Sequence, residues 1–411
     1  MTGDLVLLPN LGGEERGWRR TLHQPRVCAA AKLWRLLFVR TARMAPGDLP
    51  PPLLHADWPP DLQGGAESAA FEWLDALHGC VPWLGSADAH GDPGCGGLSV
   101  WGAPPAVVER VHDKAFAQQA AAELDLVPRV LRGMSVALAP DELVSPPDAA
   151  LRIERIVDSW PAWTGGRYTL KPRFGSSGRG RFDARAGDTD LRELQSALPR
   201  LAARGGVILE PWLAREADLS AQLRVSSDSD IVVVGTLEQI VSDRGSYRGH
   251  CGEVDSAGRM FSGHPDDSEL RAAAAAVGRS AQAEGFSGPC GVDAFEFRWR
   301  DGAEWRRELR PVVELNARFT MGTVVCGLVR RALEAVGHEL GLRPGQRYAF
   351  AFRIDAPVVG WQQSLAAAGD GAVLVPLWCH GDTVHPALLF ARSRPDLDRA
   401  LDSAAGPGAV A

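Results

Sequence analysis

The sequence predicts an α/β fold in two or three packed domains, and three observations predict it. The run Leu5 to Leu8 reads as a buried strand that ends in a glycine turn at Gly12 and Gly13, before a helical pattern from Cys28 to Val39. Tyr168 to Asp183 reads as strand, glycine-rich loop, strand. Gly291 to Asn316 reads as a pair of strands around a polar turn. The chain has 411 residues, 45% hydrophobic and 23% charged, which is ordinary globular material and more than one small core requires.

Taken in order, the first layer is interrupted by a proline-rich excursion from Ala45 to Asp61, and helical signals return from Glu67 to Leu77. The glycine-rich segment Gly91 to Gly102 marks a boundary, so a first domain is expected over 1–105. A helix capped by Asp113 then runs through Ala115 to Leu124 and stops before Pro128. Tyr168 to Phe174 is a strand, Thr189 to Arg204 a helix closed by Gly205 and Gly206, and Val207 to Leu213 and Ile231 to Thr236 are strands. Ser242 to Gly252, with Tyr247, Arg248 and His250 between glycines, reads as a polar loop near a cleft. Ser268 to Glu284 is an alanine-rich helix, and Met321 to Ala335 another. Strands near Tyr348 to Ile354 and Val373 to Leu377 and a helix near Pro395 to Ser403 fill the tail. The domains expected are therefore 1–105, 106–345 with a nucleotide-covering part over about 115–210, and a β-rich accessory segment over 346–411.

Charge narrows the function. With 51 acidic against 44 basic residues the net charge is -7, and no basic stripe is present, so nucleic acid is disfavoured as the main partner. No apolar stretch reaches ~18 residues and no leader pattern opens the chain, so no membrane partner and a cytoplasmic protein are expected. The seven cysteines form no C-x-x-C pair, and reduced thiols are expected.

Rare residue types point to chemistry. Only three residues are lysine (Lys32, Lys114, Lys171) and only two are asparagine (Asn10, Asn316). Where a type survives in a chain that otherwise uses arginine and aspartate, a compact cation or a neutral amide is being required. Lys114 follows the cap Asp113, at the positive end of a helix, a place that suits a lysine when an anion binds nearby. Lys171 opens the loop Gly175-Ser176-Ser177-Gly178-Arg179-Gly180, whose backbone N–H groups and serine hydroxyls can converge on phosphate. It is not a Walker A loop, since Arg181, Phe182 and Asp183 read as a second strand. On a strand, Glu314 and Asn316 point to one face about 7 Å apart, and with Asp293 on the preceding strand three oxygen ligands suit Mg²⁺.

In the order His112-Asp113-Lys114, Lys171 with its glycine loop, Glu210-Pro211-Trp212-Leu213, Asp218-Leu219-Ser220, Gly291-Val292-Asp293 and Glu314-Leu315-Asn316-Ala317-Arg318, the chain resembles the ATP-grasp superfamily from about Ala106 to Leu342. The resemblance implies a Rossmann-like domain followed by a two-subdomain ATP-grasp fold with antiparallel sheets. It implies that Lys114, Lys171, Ser176, Ser177 and Gly178 meet the phosphates of ATP. It further implies that Glu210, Pro211, Trp212 and Leu213 form the segment whose backbone meets adenine, and that Asp218 holds the ribose. Asp293, Glu314 and Asn316 would bind magnesium, as two ions for which Mn²⁺ can substitute. Arg318 and Lys171 would steady the reacting groups, and Arg248 could clamp a substrate carboxylate. A two-residue turn at Asp301 and Gly302 would set Asp293 opposite Arg310, so reaching Glu314 requires a longer loop or a bulge, which Pro311 would suit. Failing that, Glu308 would take the place of Asp293.

The expected activity is ATP-dependent ligation of a small carboxylate to an amine through an acyl-phosphate, with a homodimer left open. The alternatives carried are an ATP-grasp phosphotransferase or carboxylase, and a nucleotide-binding regulator without turnover.

Overall fold

In a computed structural model of the chain, the described residues are 5–13, 18–45, 49–54, 57–65, 67–175, 179–188, 190–228, 230–242, 246–359, 361–362, 371–379 and 382–404. Strands β1 (Leu5–Leu8), β2 (Arg43–Met44) and β3 (Gly79–Pro82) form a parallel sheet in the order β2-β1-β3. The unbroken apolar run of β1 fits a strand flanked by parallel partners. The helix Pro25–Arg35 buries Ala30, Ala31, Leu33 and Trp34 in the same core.

Cys80 on β3 and Cys95 are joined as a disulfide, with Cα atoms 5.4 Å apart. This corrects the expectation of reduced thiols throughout. The sequence hid the pair because the two cysteines meet only after the chain folds back on β3, whereas Cys28, Cys251, Cys290 and Cys326 are buried and free.

Strands β4 (Val136–Leu138), β5 (Arg167–Pro172), β6 (Phe182–Arg185) and β7 (Val207–Pro211) form an antiparallel sheet in the order β4-β7-β5-β6. The amphipathic helices Pro146–Asp158 and Leu191–Ala202 supply Ile153, Val157, Leu194 and Leu198 to its separate core. Strands β5 and β6 are antiparallel partners, as the glycine loop between them predicts.

The third sheet has nine strands: β8 (Ala214–Val225), β9 (Val232–Val241), β10 (Tyr247–Asp255), β11 (Met260–Phe261), β12 (Gly288–Asp301), β13 (Glu304–Asn316), β14 (Arg347–Arg353), β15 (Ala372–Pro376) and β16 (Ala387–Ala391). Their order is β13-β12-β8-β9-β11-β10-β14-β16-β15, with β9 also paired directly to β10. Strands β14, β16 and β15 thus continue the sheet that carries β12 and β13. The helices Asp267–Ala283 and Met321–Leu340 cover it with Ala274, Val277, Val325 and Leu328.

The segment read as a loop over 242–252 is instead strand β10 from Tyr247 onward. Its glycines mislead because they answer to close packing: a Cβ on Gly249 would run into the Phe352 carbonyl of β14. Among the described residues no helix is long and apolar enough to cross a membrane.

Candidate active site

The site is a cleft of about 850 Å³ whose walls include Trp83, Lys114, Lys171, Asp218, Asp293 and Glu314. Its floor is built by an irregular hairpin. Strands β12 and β13 join through a turn at Gly302 and Ala303, where Gly302 has φ +62°, and pair regularly from Asp301↔Glu304 to Phe295↔Arg310. Beyond that point the register slips, and Asp293 pairs with Glu314. The extra residues lie on β13 around Pro311, which has no N–H to give a ladder. The bulge required by the sequence is therefore present, and it sets Asp293 opposite Glu314. Glu308 pairs with Phe297 further along the hairpin and does not line the cleft.

Asn316 donates from Nδ2 to Asp293 Oδ2 at 3.0 Å and lies 3.4 Å from Glu314 Oε1. Gln239 Nε2 donates to Asp293 Oδ1 at 2.8 Å. Burial and the facing Glu314 carboxylate push Asp293 up. Burial would also raise Glu314, but Lys114 and Lys171 overcome it and hold Glu314 down. Two opposed, half-buried carboxylates with a buried amide on the same side make a donor set that suits a hard divalent cation, which would relieve their repulsion.

Lys114 Nζ lies 3.3 Å from Glu314 Oε2 and donates to Gly175 O at 2.8 Å. Its helix is capped by Asp113, which accepts from Ala115 N at 2.9 Å and also pairs with Arg173. Next to it, His112 Nδ1 accepts from Ala317 N at 3.1 Å, so this helix start is bonded to the end of the β13 segment. Arg318 lies two residues past the end of β13; its NH2 donates to Asn316 Oδ1 at 3.1 Å and its NH1 to Phe319 O at 3.0 Å, holding it in the cleft.

Lys171 is paired with Glu210, whose other oxygen accepts from Arg310 at 2.9 Å. Burial lowers the Lys171 ammonium, with Glu210 pulling the other way. Burial would raise Glu210, but Arg310 and Lys171 hold it down at about 2. With a cation on each oxygen, the charged state of the pair is the one the geometry favours.

Several expected residues are placed differently. Glu210 and Pro211 belong to strand β7, paired with Thr169 and Tyr168, and do not line the cleft; Trp212 and Leu213 do. The reason is local: the strand runs through Pro211, so the first cleft-facing residue is Trp212. Arg181 and Arg215 stack on Trp212, with guanidinium carbons 4.5 and 5.8 Å from the ring centre. Asp218 lines the cleft and accepts from Arg215 at 2.6 Å. Arg248 does not line it: it donates to Asp355 at 2.9 Å, while its neighbours Tyr247 and His250 face the cavity and are bonded at 2.8 Å. Burial pushes His250 down to about 3 and Tyr247 well up, so both are neutral near pH 7. Ser176, Ser177 and Gly178 lie outside the described residues.

Sequence reasoning passed over Ser220, Gln222 and Gln239, buried or half-buried amides and hydroxyl on the cleft floor. Gln222 accepts from Thr323 at 3.3 Å and donates to Ser220 at 3.1 Å. The signal was available, since Asp218, Ser220 and Gln222 alternate with apolar residues and share one face of a strand.

No protein-family model matches the chain, and no curated protein matches it. Solved structures do match. N5-carboxyaminoimidazole ribonucleotide synthetase from Thermus thermophilus has a TM-score of 0.51 at 15% identity, over 98% of this chain and 97% of that one. Carboxyaminoimidazole ribonucleotide synthase from Aspergillus clavatus, complexed with ATP, has 0.52 at 13%, over 98% and 99%. A biotin carboxylase complex with β,γ-ATP from Campylobacter jejuni has 0.52 at 13%, over 97% and 91%. These are ATP-grasp enzymes, and the likeness shows their fold in this chain.

Proposed function

From the ATP-grasp fold, we propose that the chain is a Mg²⁺- and ATP-dependent ligase that joins a small-molecule carboxylate to an amine. One observation carries the reading: Lys114 and Lys171, distant in the sequence, line the same cleft as Asp293, Glu314 and Asn316. Two cations beside a half-buried oxygen-donor cluster suit a polyphosphate and its counter-ion. Structures of similar proteins are complexes with ATP, with ADP and with a magnesium salt of ADP, which supports the same cofactors here.

Asp293, Glu314 and Asn316 would hold the metal, which when bound would neutralise phosphate charge. Lys114 and Lys171 would set positive charge beside the phosphates, and because both are already held by protein oxygens little reorganisation would accompany the transfer. A carboxylate oxygen attacks the γ-phosphorus, the bond to ADP breaks, and an acyl-phosphate forms. Arg318 sits where it can hold the acid or the departing phosphate. The amine then attacks the acyl carbon, loses a proton and expels inorganic phosphate. Trp212 and Leu213, with Asp218, would receive the nucleoside.

The test is ADP release from ATP and Mg²⁺ with panels of acids and amines, together with product mass. ADP that requires both an acid and an amine supports the ligase. A stable phosphorylated product, or ADP that requires bicarbonate, would favour a phosphotransferase or a carboxylase.

A further inference from the structure

Asn316 stands between two unlike sets of neighbours, and its side chain has two unlike ends. A carboxamide carries two donors on its nitrogen and an acceptor on its oxygen. On one side are the carboxyl groups of Asp293 and Glu314, and Asn316 turns its nitrogen to them, with Nδ2 at 3.0 Å from Asp293 Oδ2 and 3.4 Å from Glu314 Oε1. On the other side is Arg318, whose guanidinium has donors alone and gives one to Asn316 Oδ1 at 3.1 Å. The reverse orientation would set oxygen against carboxyl oxygen and N–H against N–H. The neighbours therefore dictate which end of the amide faces which side.

This arrangement conflicts with metal binding at the same residues. A hard divalent cation takes oxygen, and the oxygen of this side chain is Oδ1. What Asn316 presents to Asp293 and Glu314 is Nδ2, whose protons would point at the cation. Asn316 can join the two carboxylates as a ligand only after half a turn of its amide. That turn takes Oδ1 from Arg318 and leaves N–H facing the guanidinium, so the 3.1 Å bond breaks. Asn316 is only 7% exposed, but its partner across the ladder is Gly291, which brings no side chain against the amide.

We propose that Asn316 is a two-position device coupling the metal to Arg318. Without metal its oxygen holds Arg318; with metal bound, the turned amide hands the guanidinium to the carboxylate of the acid or to the departing phosphate. The inference rests on the metal site of the ligase reading and adds an order to it: the metal nucleotide binds first and the acid second. Linkage makes the effect mutual, so an anion taken by Arg318 tightens the metal by the same factor.

The scarcity of asparagine supplies the test. Protein labelled with ¹⁵N in its asparagine side chains shows two NH2 pairs, from Asn316 and Asn10. Asn10 is closed on Leu84 through both ends of its amide, at 2.7 and 3.1 Å, and serves as the internal reference. Mg²⁺ is titrated into the protein with a non-hydrolysable ATP analogue, binding is followed in parallel by calorimetry, and Mn²⁺, which broadens the nearer pair, assigns Asn316. The Asn316 protons are expected to leave the carboxyl oxygens, to move upfield toward a water-exposed amide and to exchange with water about ten-fold faster, while the Asn10 pair stays fixed. If calorimetry shows Mg²⁺ bound while the Asn316 pair remains downfield and protected, the device is overturned and the metal site stands. Absence of Mg²⁺ binding overturns both. A second measurement titrates inorganic phosphate into protein without divalent metal. Asn316→Ala, which removes the oxygen that holds Arg318, should bind phosphate about ten-fold more tightly than wild type, the value of one charge-assisted bond, and Asn316→Ala/Arg318→Gln should lose the gain. Equal phosphate affinity in wild type and Asn316→Ala overturns the hand-over. The spectra of the wild type decide the turn of the amide even if the variants fail to fold.

Discussion

Asp293 and Glu314 are direct cross-strand partners, although the turn that joins their strands would set Asp293 opposite Val312 if the ladder were regular. The slip around Pro311 brings two half-buried carboxylates together against their repulsion. A pairing of that kind persists only where the rest of the fold holds it, and here Lys114, Asn316 and Gln239 do so.

Glu314→Gln and Asp293→Asn are therefore expected to lower turnover by about 10²- to 10³-fold and to raise the Mg²⁺ concentration needed for half-maximal rate. Because Asp293→Asn relieves repulsion, its melting temperature measured without Mg²⁺ should not fall, whereas Glu314→Gln also gives up the contact with Lys114. ADP release across a Mg²⁺ titration checks the first point and a thermal melt the second; wild-type turnover in either variant would remove both residues from the metal site.

Lys171→Ala should abolish turnover and also weaken the fold, which sequence alone does not suggest. It leaves Glu210 buried with Arg310 as its remaining ion-pair partner. Breaking a buried pair typically costs about 3–5 kcal/mol, and the retained arginine makes that an upper bound. Urea denaturation should show the loss, and an unchanged midpoint would mean that the pair contributes nothing net.

Glu210 also sets an acid limit. Its folded-state pKa is depressed from 4.5 to about 2, so its contribution is complete above 4.5 and disappears as pH falls toward 2. Glu210→Gln should flatten the fall in stability over that window, measured by denaturation at pH 5 and pH 3. A parallel slope in variant and wild type would contradict the assignment.

Opening the Cys80–Cys95 bridge, 15 residues apart, should cost about 3 kcal/mol through the entropy regained by the unfolded chain. Denaturation with and without a thiol reductant measures it, with Cys95→Ser as the control that should no longer respond.

The chemistry was legible where residue type was scarce. Lys114, Lys171 and Asn316 stood out against an arginine- and aspartate-rich background, and all three line the cleft. The antiparallel glycine-loop hairpin and the need for a bulge at Asp293 followed from strand periodicity and turn length. What failed had a different cause in each case. Arg248 was misassigned because Gly249 reads as a loop residue when its lack of a side chain serves a close approach of two strands. Glu210 was read for its backbone, whereas its carboxylate is committed to Lys171 and Arg310. Arg26, which lines the cleft, was invisible because only docking of the helix Pro25–Arg35 brings it there, and no local pattern encodes its contact with Asp355 across more than 300 residues.

The third lysine belongs to that same docking. Lys32 is buried and bonded at 2.6 Å to Asp382, so the helix bearing Arg26 is riveted to the tail. Swinging this side outward would mean parting a sequestered ion pair, a move of several kcal/mol. The wall that Arg26 lines is therefore the fixed jaw of the cleft, its position tied to Asp382.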